Sequence, residues 1–233
     1  MQAIVLAGGF GTRLRGVVPD LPKPMAPVAG RPFLAWVLDA LAEAGFTRIV
    51  LAVGYRFEMI RAHFGTAYRG VPLNYSVESR PAGTGGAIRL AAEGLGEGPV
   101  FVLNGDTFVD LDHRAMLRSH TRAEARISLA VCRVADAGRY GAVEIENGRV
   151  VRFREKGGVG AASINAGAYL LSREIVGLIP SGEAFSFEQQ LLVPLVAEFR
   201  PLAFETEGLF VDIGVPEDYA RAQQLFANRP VPE

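Results

Sequence analysis

The chain has 233 residues, with 24 Lys+Arg against 25 Asp+Glu and a formal net charge of −1. Near-neutrality argues against a non-specific nucleic-acid binder, which needs a basic face. A hydrophobic share of 49% with 21% charged residues excludes a disordered chain, and the single cysteine, Cys132, excludes an internal disulfide or a cysteine-based zinc site.

In chain order, the N-terminus Met-Gln-Ala-Ile-Val-Leu-Ala has no basic leader, and Gly8-Gly9 interrupts its apolar run. No apolar stretch reaches the length needed to span a bilayer, so no membrane partner and a cytoplasmic location are expected. Apolar, β-branched runs predict strands over Ala3–Leu6, Ile49–Val53, Leu73–Ser76, Val100–Leu103 and Ile127–Val131. Between them, Phe33, Trp36, Val37 and Leu41 share one helical face, with Gly45 as the stop. Phe57–Phe64, Ala87–Ala92 and Arg114–His120 also have helical spacing. Strand alternating with helix predicts an α/β layer, and the continuous apolar character of the first and fourth strands suits burial on both faces.

The second half reads as richer in strand. Asn147-Gly148 predicts a hairpin turn between Ala142–Ile145 and Val150–Phe153. Ile164–Leu171 is a further strand. Ser186 is a predicted N-cap, with Gln189 completing a capping box, and Pro194 should kink or end that helix. Leu209–Ile213 is a last strand, and Pro216 opens a last helix with Glu217 and Asp218 in its first turn. One domain over 1–227 and a frayed tail over 228–233 are expected. The apolar excess of the second half permits a homodimer face, but core packing explains it as well.

Common motifs are absent. No Gly-Lys pair exists for a Walker A loop. Gly9-Phe-Gly11-Thr-Arg-Leu14 and Gly83-Thr-Gly85-Gly-Ala-Ile88 both lack the third glycine of a dinucleotide fingerprint. His63, His113 and His120 lack metal-ligand spacing and read as surface or partly packed residues. No Gly-x-Ser-x-Gly elbow occurs, and Cys132 reads as a small buried hydrophobe rather than a nucleophile.

The segment Leu6-Ala7-Gly8-Gly9-Phe10-Gly11-Thr12-Arg13-Leu14 follows the first strand directly. Glycines let backbone N–H groups approach an anion, and Arg13 adds a planar guanidinium that grips phosphate oxygens. Pro22-Lys23-Pro24 holds a lysine between two prolines, which stiffen the backbone and aim the side chain. Glycines alone would read as a plain turn; glycines with Arg13 and Lys23 favour a phosphate cradle.

These segments resemble the signature of sugar-1-phosphate nucleotidyltransferases. The resemblance runs from Ile4 to about Leu225, through Gly83-Thr84-Gly85-Gly86, Asn104-Gly105-Asp106, Tyr140-Gly141, Glu155-Lys156, Asn165-Ala-Gly167-x-Tyr169 and Asp212-Ile-Gly214. It implies a Rossmann-like α/β fold with a central mixed, mainly parallel sheet flanked by helices. Val17–Val28, Tyr75–Glu78 and Phe210–Tyr219 resemble the heptose-1-phosphate guanylyltransferases within that family. Mannose-1-phosphate guanylyltransferases and N-acetylmuramate-1-phosphate uridylyltransferases are the neighbouring alternatives. A non-catalytic regulatory relative is disfavoured, because Arg13, Lys23, Asp106 and Asp212 are all present. Many family members carry a further domain after the catalytic one; here the last motif is followed by a short helix and the tail, so a catalytic core alone is expected.

The resemblance implies substrates GTP and a sugar 1-phosphate, with Mg²⁺ as cofactor. It implies catalytic roles for Arg13, Lys23 and Asp106, and metal binding by Asp106 and Asp212. Carboxylates at strand ends are hard oxygen donors suited to Mg²⁺. Leu6, Ala7, Gly8, Gly9, Gly11, Thr12, Glu78, Gly83, Thr84 and Asn104 would hold the nucleotide. Glu78 offers only acceptors, which favours the paired donors of guanine over uracil, unless it points to solvent or to Arg80. Gly141, Glu155, Lys156, Asn165 and Gly167 would hold the sugar phosphate. Gly157-Gly158 departs from the family, which often has proline after its Glu-Lys pair. A phosphate nucleophile is already ionised, so no general base is required.

Overall fold

The computed structural model describes residues 1–9, 14 and 16–231. In chain order the strands and helices are Gln2–Leu6 (β1), Pro27–Val28 (β2), Arg31–Pro32 (β3), Phe33–Glu43 (α1), Arg48–Val53 (β4), Phe57–Phe64 (α2), Ala67–Tyr68 (β5), Val71–Val77 (β6) and Gly83–Ala91 (α3). There follow Val100–Asn104 (β7), Thr107–Val109 (β8), His113–Arg122 (α4), Ile127–Val134 (β9), Val143–Glu146 (β10), Arg149–Phe153 (β11) and Ala162–Leu171 (β12). Arg173–Gly177 (α5), a π-helix over Phe187–Leu192, Val196–Phe199 (α6), Leu202–Thr206 (β13), Phe210–Asp212 (β14) and Pro216–Ala227 (α7) complete the chain.

Among the described residues, ten strands form one sheet in the order β10-β11-β13-β9-β12-β7-β1-β4-β6-β5. Strands β7, β1, β4 and β6 run parallel, as the strand-helix alternation predicts. Strand β12 enters antiparallel between β7 and β9, which makes the sheet mixed. Alternate residues of a strand point to opposite faces, so β1 feeds two cores: Ala3 and Val5 pack with Phe33, Leu38 and Phe226, while Ile4 packs with Ile88, Val102 and Leu191. This two-sided burial explains the uninterrupted apolar run of β1. No helix among the described residues is long and apolar enough to cross a membrane.

Several features differ from the spacing-based expectations. Strand β13 is inserted parallel to β9, and its half-buried residues carry no strong apolar run. Helix α3 starts at Gly83, before the apolar residues that mark it in the sequence. The Ser186 hydroxyl accepts from the Gln189 N–H, as predicted, but the side chain that returns to the Ser186 N–H is Gln190, at 2.7 Å. The wider π-helix that follows changes which residue lies over the cap. It ends before Pro194. His113 and His120 are buried, not superficial. In the tail, Arg229 bonds to Asp110 and lies over the ring of Phe108 at 4.6 Å.

Candidate active site

Strand β1 delivers Leu6 to the carboxyl end of the parallel strands, and Leu6, Gly8 and Gly9 line a cavity there. A side chain on Gly8 would place its Cβ 3.3 Å from the Gly54 backbone nitrogen, so the loop lies flush against the end of β4. Ala7 is buried with its N–H on the Ala52 carbonyl at 2.8 Å, and supports the loop without lining the cavity. Gly11, Thr12 and Arg13 lie outside the described residues.

Asp106 follows β7 through Gly105, whose N–H donates to the Leu6 carbonyl at 2.8 Å. A Cβ on Gly105 would stand 2.9 Å from that oxygen, so glycine permits the turn to close onto β1. The short β8–β14 ladder pairs Thr107 with Asp212, which brings the two aspartates together from distant parts of the chain. Lys23 reaches both. It sits in a single 3₁₀ turn entered from Pro22, with its Nζ 2.5 Å from Asp106 Oδ2 and 3.6 Å from Asp212 Oδ1. Burial raises the Asp212 carboxyl above the usual carboxylate range; Lys23 opposes this and Asp106 adds to it. The Gly214 N–H fixes Asp212 Oδ1 at 2.8 Å.

Two carboxylates meeting at one cation form a set of hard oxygen donors. They suit a divalent ion that takes its remaining ligands from phosphate or water. No cluster of three or more His, Cys, Asp and Glu side chains with metal-binding geometry exists among the described residues, so the protein offers a partial shell, not a closed cage.

The first cavity, about 350 Å³, is lined by Leu6, Gly8, Gly9, Glu78, Gly83, Thr84, Asn104 and Asp106, among others. Glu78 is half-buried at its wall, accepts from the Ala82 N–H at 3.2 Å, and is raised by burial above the usual range. Arg80 does not pair with it; its guanidinium donates to the Gly182 carbonyl at 2.5 Å. The Thr84 hydroxyl accepts from the Phe187 N–H at 3.0 Å, tying this wall to the π-helix.

The second cavity, about 500 Å³, contains Gly141, Glu155, Lys156 and Asn165 in its lining. Gly141 has φ +77°, and a Cβ there would lie 2.6 Å from the Arg154 carbonyl oxygen. Glu155 and Lys156 are exposed, and no ion pair engages either among the described residues. The Gly157 N–H donates to the Gly138 carbonyl at 2.7 Å, so the Gly157-Gly158 loop folds back onto the segment before Gly141. Tyr140 and Arg139 both bond to Asp218 of α7; burial pushes the Tyr140 phenol up to about 12. Gly167 lines neither cavity. A Cβ there would meet Asn104 Nδ2 at 2.6 Å, so glycine lets β12 pass close to β7 between the two cavities.

Glu188 and Gln189 are functional candidates that the motifs omit. Glu188 and Gln189 line the second cavity, and Tyr169 bonds to Glu188. Glu188 follows a cap residue and reads as a solvated first-turn charge. No spacing rule places it against Asn165. Cys132 is buried, with its thiol pushed up to about 11, and takes no part.

Residues 2–229 match the nucleotidyl transferase family. The chain is 41% identical over 224 residues to a D-glycero-alpha-D-manno-heptose 1-phosphate guanylyltransferase of Aneurinibacillus thermoaerophilus, covering 96% of this chain and 97% of that one. It is 40% identical to the enzyme of the same name from Campylobacter jejuni, covering 94% and 97%. HddC from Yersinia pseudotuberculosis, solved in complex with GMP-PN, superimposes with a TM-score of 0.86 at 35% identity, over 97% of this chain and 99% of that one.

Proposed function

The chain belongs to the nucleotidyl transferase family, and from that premise we propose that it transfers a guanylyl group from GTP to D-glycero-D-manno-heptose 1-phosphate. The products are GDP-heptose and pyrophosphate, and the product feeds the synthesis of a surface glycan. The observation that carries the reading is Lys23 Nζ standing between Asp106 and Asp212 at the edge of the first cavity. A fixed ammonium beside two metal-type carboxylates is equipment for a phosphate chain. The names of the two relatives and the GMP-PN complex of the solved neighbour support GTP and heptose. The acceptor-only Glu78 in the cavity wall also fits guanine, which offers adjacent donors.

In this reading GTP occupies the first cavity and the sugar 1-phosphate the second. A sugar-phosphate oxygen forms a bond to the α-phosphorus, the bond from that phosphorus to the β-phosphate bridging oxygen breaks, and pyrophosphate leaves. Lys23 holds the α-phosphate and the incoming phosphate in line. Arg13 holds the β- and γ-phosphates and the leaving group. Lys156 meets the sugar phosphate, while Glu155 and Asn165 accept from sugar hydroxyls. A Mg²⁺ ion on Asp106 and Asp212 would offset the charge of the triphosphate. The reaction belongs in the cytoplasm, where GTP is made.

The test is pyrophosphate release with each of the four nucleoside triphosphates against heptose, mannose, glucose and N-acetylmuramate 1-phosphates. GTP with heptose 1-phosphate should be the preferred pair. A preference for UTP overturns the guanine assignment. Activity with mannose but not heptose 1-phosphate overturns the sugar assignment.

A further inference from the structure

Asn165 and Tyr169 project from β12 toward Glu188 on the π-helix. The Asn165 amide Nδ2 donates to Tyr169 Oη at 2.7 Å and to Glu188 Oε1 at 3.0 Å. Its Oδ1 accepts from the Gly167 N–H at 2.9 Å. The Tyr169 hydroxyl, buried beneath them, donates to the same Glu188 Oε1. A primary amide has two N–H donors and a carbonyl oxygen with two lone pairs. Tyr169 Oη and Glu188 Oε1 are themselves in contact and lie on one side of Nδ2, so they share one N–H of Asn165, and the second N–H is left over. Turning the amide over would set its oxygen against the Glu188 carboxylate, so the orientation is fixed. What this cluster leaves for a ligand is the second N–H of Asn165, one lone pair of its Oδ1 and the whole of Glu188 Oε2, which no hydrogen bond engages among the described residues. Glu188 Oε2 is a charged acceptor, and Glu155 adds a second carboxylate to the same cavity. Arg154 and Lys156 in the same lining suit the phosphate, while beside Glu188 a ligand hydroxyl is favoured over a ligand carboxylate.

We propose that Glu188 determines which sugar phosphates the second cavity takes: Oε1 holds the Asn165 amide in one orientation, and Oε2 accepts a hydrogen bond from a sugar hydroxyl, so neutral polyhydroxy sugars are selected over acidic ones. The proposal rests on the assignment of this cavity to the sugar 1-phosphate.

Glu188→Gln is the discriminating variant. It keeps an oxygen for Tyr169 and Asn165, replaces Oε2 with a donor, and removes the charge. The measurement uses whichever neutral sugar 1-phosphate and nucleotide the wild type turns over best. The expected result is a rise of about tenfold in KM for the sugar phosphate, with kcat and the KM for the nucleotide within about twofold. Turnover of N-acetylmuramate 1-phosphate, whose sugar carries a carboxylate, should improve about tenfold relative to the neutral sugar. An unchanged sugar KM means that Glu188 only anchors the π-helix, and overturns the proposal. So does an equal rise in the nucleotide KM. A wild-type preference for mannose 1-phosphate or for UTP defeats the heptose or GTP assignment alone, and Glu188 is still judged on the substrate used. Wild-type turnover of N-acetylmuramate 1-phosphate only, or of no neutral sugar phosphate, overturns both.

Discussion

His113 is 3% exposed, and its ring stands edge-on to Phe46 and Phe101 at 5.2 and 5.5 Å. Neither ring nitrogen has a hydrogen-bond partner among the described residues. Burial pushes its pKa down from 6.5 to about 4, against a weaker upward pull from Asp112, the Leu111 backbone and Asp110. Between these two values the unfolded chain binds the proton and the folded chain does not. Stability is therefore complete above the unfolded value and is lost as pH falls toward the folded one. Between about pH 7 and about pH 5 the loss is on the order of 2 kcal/mol. Urea unfolding of His113→Phe should show a pH dependence over that range shallower by about this amount; a slope equal to the wild type's would mean that His113 does not titrate in this way. The spacing of His113 carries no metal-ligand signal, and it does not show the burial either, because the residue opens a polar helix of which only a few residues face the core. The same gap hides Glu188, whose partners lie on β12 far back in the chain. Lys23 and Asp106, by contrast, are legible, because flanking prolines and a terminating apolar strand mark them locally.

Helix α3 and the π-helix meet through glycines. Gly85 accepts no side chain easily: its Cβ would lie 2.5 Å from a Phe185 ring carbon and 3.0 Å from the Phe185 carbonyl oxygen, which itself accepts the Gly85 N–H at 2.7 Å. Alanine is favoured over glycine inside a helix by up to about 1 kcal/mol. Here the overlap with the Phe185 ring and the tight approach to its carbonyl oxygen should outweigh that gain, since overpacking costs roughly 1–3 kcal/mol. Gly85→Ala should lower the thermal midpoint by roughly 2–4 °C per net kcal/mol. It should also raise the KM for GTP several-fold, because Gly83, Thr84 and Ala87 of the displaced helix line the first cavity. A variant as stable as the wild type, with unchanged KM, would show that the Phe185 segment yields freely. In the sequence Gly83 reads as part of the nucleotide site. Gly83 does line the cavity, yet at Gly85 the need is for a neighbouring backbone. At this scale, strands with continuous apolar runs are legible to within a few residues. Strand β13 is not: its pattern is half-buried, and its partners β9 and β11 are fixed only by the assembled sheet.

Across the molecule, the site is assembled from segments that the sheet makes adjacent. The end of β1 lies beside the end of β7, and β14 returns from the last part of the chain to set Asp212 by Asp106. The ordered series of motifs makes this convergence legible in advance, although their contacts are not. What holds the convergence is apolar burial on both faces of the sheet, at about 1.5–3 kcal/mol for each large side chain fully buried. The Lys23 ammonium offsets one of the two aspartate charges without a metal. Stability and catalysis should therefore separate on chelation. Excess EDTA should abolish pyrophosphate release while moving the thermal midpoint of the nucleotide-free protein by less than about 1 °C, the effect expected when stability changes by only a few tenths of a kcal/mol. Restored Mg²⁺ with GTP should then raise the midpoint, since a ligand at a hundred times its Kd contributes about 2.7 kcal/mol. A fall of several degrees on chelation alone would mean that the ion is part of the fold, and that Lys23 does not offset enough of the pair's charge in the free protein.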